Sequence, residues 1–139
     1  MKSKVILKNI GAIIAGFLVT LFLTRGMDIL LETIGVFPSV EEQKKNGFNV
    51  LWMNIVALLY RFGFAIIGGY ITARLSANKP MKNVNILAIF GTIIAIAANI
   101  AISQIPEMAN VLPLWFSVAL VVIAFPSVWL GGRFALNKK

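Results

Sequence analysis

The sequence predicts an all-α integral membrane protein. It reads as a bundle of four transmembrane helices with both termini cytoplasmic, built as a single membrane domain over residues 1–139. Three observations predict this. First, 59% of residues are hydrophobic and only 13% charged, where a soluble domain has about half and about a quarter; mean hydropathy is +0.88. Second, the apolar residues fall in four blocks, each long enough to cross a hydrocarbon core of about 30 Å. Third, lysines and arginines gather at alternate ends of those blocks.

The first block follows Lys2, Lys4 and Lys8 and runs apolar from Ile10 to Leu23. It ends in Thr24-Arg25-Gly26 with no small-x-small cleavage site, so it reads as a retained span and not a signal peptide. Apolar residues resume at Ile29, Leu30 and Leu31, then from Ile34 to Phe37. A helix from residue 6 to 37 would be about 48 Å long at 1.5 Å per residue. The span, placed at about 6–33, therefore projects beyond the bilayer or breaks near Gly26 or Gly35.

Pro38 to Asn49 reads as a polar loop. The second span, 50–75, is largely apolar, with Arg61 inside it. A short basic turn with Lys79, Pro80 and Lys82 leads to the third span, 84–102. Ser103 to Pro113 is a loop containing Pro106 and Glu107. The fourth span, 114–136, carries Pro126, which is expected to kink it.

Orientation follows from the cations. Lys2, Lys4, Lys8, Arg74, Lys79, Lys82, Arg133, Lys138 and Lys139 fall on one side. The opposite loops hold Lys44 and Lys45 with Glu41, Glu42 and Glu107. The first side is therefore cytoplasmic. Trp52 and Trp115 fall at the outer boundary and Trp129 towards the inner one, as an aromatic belt requires. The formal charge of +8 is explained by this topology, and no nucleic-acid partner is expected.

The chain has no cysteine and no histidine. That removes thiol chemistry, the commonest general base and the commonest metal ligand. No catalytic residue, cofactor or metal site is expected, and the protein does not read as an enzyme.

The chemistry concentrates on the second span. At 3.6 residues per turn, Asn54, Ala57, Arg61, Ala65, Gly68 and Thr72 share one face, small and polar, opposite Val56, Leu59, Phe62 and Ile66. This is a helix facing its bundle. Gly11 and Ala15 on span one, and Ala65, Gly68 and Gly69 on span two, are the expected close-packing positions. On span one Ala12 and Gly16 interleave as a second small-xxx-small pair. Asn9 and Asn85, and the doublets Gly68-Gly69 and Gly131-Gly132, form a faint internal echo, for which chance is the simpler explanation.

Arg61 must have a partner at that depth. It lies about 20 Å from the cytoplasmic end of its helix. Side chains lean towards a helix N-terminus, so Arg61 points outward on an inward-running helix. Asp28, on an outward-running helix, points inward. The two are predicted to pair, with Asn99 nearby and Arg25 and Glu32 at the outer rim of one near-neutral cluster. Tyr60 and Tyr70 read as packing or interfacial residues. The plainer reading of the cluster is a staple between spans one and two; the other is a solute or proton site.

Tyr60-Arg61, Gly68-Gly69-Tyr70-Ile71-Thr72-Ala73-Arg74-Leu75, Lys79-Pro80-Met81, and Pro126 with Trp129-Leu130-Gly131-Gly132-Arg133 span most of the chain. In these it resembles a group of small bacterial four-helix integral membrane proteins. The resemblance implies a multi-pass protein of the bacterial cytoplasmic (inner) membrane and carries no mechanism. Small four-helix multidrug exporters differ: their mid-helix-one glutamate has no equivalent, since Asp28 and Glu32 lie too near the outer end. Two functions are expected to compete. One is an accessory or structural subunit in the lipid bilayer, packed into a homo-oligomer or a larger membrane complex. The alternative is a small oligomeric transporter or channel with a polar site around Arg61 and Asp28.

Overall fold

A computed structural model describes residues 2–48, 50–106 and 113–137. Glu107, Lys138 and Lys139, which entered the charge count above, lie outside the described residues. The elements are α1 (Lys2–Thr33), α2 (Val40–Asn46), α3 (Leu51–Leu75), α4 (Pro80–Ser103) and α5 (Leu114–Asn137). There is no strand among the described residues. Four of the helices, α1, α3, α4 and α5, are long and apolar enough to cross a membrane.

Their outer surfaces are as oily as their contacts, among which polar side chains lie buried. Phe22, Leu59, Ile93 and Val122 are largely exposed, while Asn54, Thr72, Asn83 and Ser127 are buried. Such an arrangement would be inside out in water and is normal in lipid, where close packing and internal hydrogen bonds hold helices together. Both α1 and α4 run one way, and α3 and α5 run back. The lateral order is α1, α3, α5, α4, so α3 and α5 form the centre, and α1 and α4 meet only lightly. One end of the bundle holds Lys2, the 76–79 turn and Asn137; the other carries α2.

Each crossing is made by glycine. A Cβ at Gly16 of α1 would strike Thr72 Oγ1 and the Gly68 carbonyl; one at Gly68 would strike Thr20 Oγ1 and the Gly16 carbonyl. At that contact Thr72 Oγ1 donates across to the Ala12 carbonyl (2.9 Å). The central pair meets where Gly69 abuts the Val128 backbone and Gly131 abuts Ile66 and Tyr70. Gly132 then packs on Val84 and Met81 of α4. The two glycine doublets therefore share a role: in each, one glycine faces the other central helix and its neighbour faces the flanking helix. Of the expected packing positions, Gly68, Gly69 and Ala65 are buried and Ala15 is half-buried. Gly11 is a correction: it is exposed, with nothing within 4 Å of a Cβ there. The interleaved pair Ala12 and Gly16 makes the contact instead.

Three boundaries bear on the expectations. First, α1 starts earlier, at Lys2, runs unbroken through Gly26 and ends at Thr33 as placed; the chain breaks at the second of the two expected glycines, Gly35, at φ +85°, where an L side chain would be strained. Second, α2 occupies the supposed polar loop. Ser39 Oγ accepts from the Glu42 N–H (3.2 Å), Glu41 and Glu42 lie in the first turn and Lys44 and Lys45 in the last, matching the helix dipole. Third, α4 begins at Pro80, not Val84: proline suits the first helical position, after Lys79 at φ 46°. The fourth span runs through Pro126 as one helix. There Ser127 Oγ donates to the Ile123 carbonyl (2.7 Å), a polar contact beside the missing proline N–H.

Candidate functional site: the Arg61–Asp28 cavity

The bundle is tight at its terminal end, where the glycines sit, and open towards α2. Beyond the Phe17–Phe90 contact of α1 with α4, a cavity of about 500 Å³ lies between the four long helices in the α2 half. That volume is within the range of about 300–1,000 Å³ that holds small ligands. Its walls are largely aromatic and aliphatic, with Phe17 from α1, Ile94 from α4 and Phe116 and Leu120 from α5.

Polar groups converge on one wall. Arg61 Nη2 donates to Asp28 Oδ2 at 2.9 Å. The opposed lean of side chains on antiparallel helices brings the pair together, as argued above. Tyr60 OH donates to Asp28 Oδ1, and the Arg61 guanidinium lies 5.7 Å from the Tyr60 ring centre. Asp28 thus receives both of its donors from consecutive residues of α3. Its side chain is 13% exposed, whereas Arg61 remains 32% exposed, towards the cavity. Arg61 Nε is buried with no partner among the described residues. The pair is therefore a partial one: each carboxylate oxygen has a donor, while the guanidinium Nε has no acceptor among the described residues.

The remaining expected members line the same cavity without joining the pair. Glu32 accepts from Gln43 Nε2 (3.4 Å), which also donates to the Pro38 carbonyl (2.9 Å). Arg25 is exposed at the rim. Asn99 makes no hydrogen bond to Arg61: its Nδ2 donates to the Ser117 carbonyl at 3.2 Å, tying α4 to α5.

Two participants were not anticipated. Tyr60 had been read as a packing residue, but its hydroxyl completes the coordination of Asp28. A tyrosine one residue from a membrane arginine, opposite a lone aspartate, was the available signal. Gln43 arrives with α2, which is held down by Phe37 and Phe48. Both rings are buried, 5.1 Å apart, and pack towards Tyr60 and Phe116.

Chemically, the site offers a cation with free donor capacity, a fixed carboxylate, hydroxyls and amides over an apolar floor. Among the described residues no cluster of His, Cys, Asp or Glu is placed to hold a metal. Fold and site together define a polytopic, membrane-type helical bundle with a largely apolar cavity that carries polar groups on one wall. No family model, curated protein or solved structure matches this chain.

Proposed function

We propose that the protein is a small multi-pass membrane protein that takes a ligand into the cavity beside Arg61 and Asp28, as a small transporter or binding protein of a bacterial cytoplasmic membrane. The terminal end is read as cytoplasmic, since the cations gather there. The observation that carries the ligand reading is the incomplete pairing of Arg61. A buried staple needs every donor and acceptor satisfied, because the cost of desolvating an ion pair is repaid only then. Here the Arg61 side chain is 32% exposed, lines the cavity, and has an Nε with no acceptor among the described residues. A fitting ligand places an acceptor on Arg61 and an apolar body against Phe17, Ile94 and Leu120. The test is the Asp28→Asn, Arg61→Gln double variant in a strain deleted for the protein. It is expected to insert and fold, since no net charge changes, yet to fail to restore the deletion phenotype. Full restoration by a folded double variant contradicts the reading.

A second reading, an accessory or structural subunit in a homo-oligomer or larger complex, draws on one observation. Gly11, and Ala15 one turn further along α1, leave a small-residue surface unused within the bundle, and small-xxx-small surfaces suit close approach of another helix. A ligand cavity and such a partner are compatible.

A further inference from the structure

A second concavity, of about 540 Å³, lies at the terminal end between α1 and α4. Lys2 of α1, Lys79 of the turn and Lys82 of α4 border it, and Ile6, Ile10 and Ile86 line its apolar part. Those three isoleucines are 43–56% exposed. The polar residues between them are committed to one another. Asn9 Oδ1 accepts from the Ala77 and Asn78 N–H groups (2.9 and 3.4 Å), and Asn9 Nδ2 donates to Asn78 Oδ1 (2.8 Å). Asn83 Nδ2 donates to Ser76 Oγ (3.0 Å) and the Asn78 carbonyl (3.2 Å). This network fixes the 76–79 turn and so fixes where Lys79 and Lys82 start. It leaves the ammonium groups as the groove's free chemistry.

Among the described residues no side-chain carboxylate lines this groove. The five acidic residues are Asp28, Glu32, Glu41, Glu42 and Glu107. Asp28, the nearest to Lys2 along α1, is 26 residues away, or about 39 Å of helix, several times the screening length of about 8 Å at physiological salt. Three cations thus border an apolar groove with no side-chain counter-charge beside them among the described residues. The arrangement is graded: cations and amides at the end of the bundle, isoleucines running from there towards its middle. A lipid is graded the same way.

We propose that this groove is a binding site for an anionic phospholipid. The phosphate of the headgroup lies among Lys2, Lys79 and Lys82, and an acyl chain lies along Ile6, Ile10 and Ile86. Basic pockets between helices on the cytoplasmic side suit such headgroups. The proposal rests on the membrane placement given above but not on the Arg61 cavity.

The test compares two charge-matched variants in nanodiscs of mixed phosphatidylglycerol and phosphatidylcholine. Lys79→Gln/Lys82→Gln removes two cations from the groove. Lys4→Gln/Lys8→Gln removes two from the same end of the bundle at residues that do not line it. Native mass spectrometry of the released protein reads which lipid stays bound. Wild type is expected to retain phosphatidylglycerol preferentially, the Lys79/Lys82 variant to lose that preference by ~10-fold, and the Lys4/Lys8 variant to keep it. Equal loss in both variants would reduce the effect to diffuse surface attraction and overturn the site, as would no loss in either. Displacement of bound lipid by millimolar glycerol 3-phosphate would show that a soluble phosphate suffices, and would overturn the lipid as occupant.

Discussion

Asp28 is held by two donors from α3, and this sets what each neighbouring substitution does. Asp28→Asn leaves Arg61 without its counter-charge, and Arg61→Gln leaves Asp28 with Tyr60 alone. Each is expected to cost about 3 kcal/mol, the lower end of the range for breaking a buried pair, because Arg61 keeps a third of its surface open. The double variant should cost less than the sum by at least about 1 kcal/mol. Tyr60→Phe removes a hydrogen bond to a charged group and should cost about 2 kcal/mol. Unfolding of the detergent-solubilised protein by graded denaturant checks all four. Strict additivity of Asp28→Asn and Arg61→Gln would mean that the pair does not form. This contact was legible in the sequence because the apolar spans offer few charges and helix direction fixes which way each leans. Tyr60 was not legible in the same way. A helical wheel places it about 100° from Arg61, and only the position of α1 between the two brings both onto one carboxylate.

At the scale of elements, helix approach is set by which small residue faces which neighbour. Gly68→Ala drives a Cβ into Thr20 and the Gly16 carbonyl, and Gly131→Ala drives one into the Ile66 carbonyl. Each should cost about 2–3 kcal/mol, as overpacking against backbone does. Gly11→Ala meets nothing and should be neutral or stabilising by up to about 1 kcal/mol, through helix propensity. The same unfolding titration separates them, and a large loss at Gly11 would place α1 in the wrong rotation. The sequence shows two interleaved small pairs on α1, Gly11 with Ala15 and Ala12 with Gly16. Choosing between them needs the phase of α1 against α3, which no local pattern encodes. In the same way, Asn99 faces the bundle as expected but bonds to α5, since α4 lies beside α5 and not α3 at that depth. The four long helices were readable because length and apolarity alone define them. The short helix α2 was hidden by its polar composition, although Ser39 and Glu42 form the start of a recognisable N-cap.

For the whole molecule, the asymmetry between a tight glycine end and an open α2 end defines the account. The absence of cysteine makes single-cysteine probes clean. A cysteine at Ser3 or Ala77 should be shielded from an impermeant thiol reagent in intact cells, and one at Ser39 should react; the reverse pattern would invert the orientation read from the lysines. The central claim is that the cavity beside Arg61 is wet and open to a ligand. Its most direct measurement is the reaction rate of Ala124→Cys, on the cavity wall, against Ala97→Cys, exposed on the outer face of α4. Both are read in the bilayer with a small charged thiol reagent, which attacks only the ionised thiol. The account predicts that Ala124→Cys reacts at least ~10-fold faster, because a thiol facing acyl chains stays protonated. Equal, slow reaction at both positions would show a dry interior and would leave Arg61 and Asp28 as a staple and nothing more.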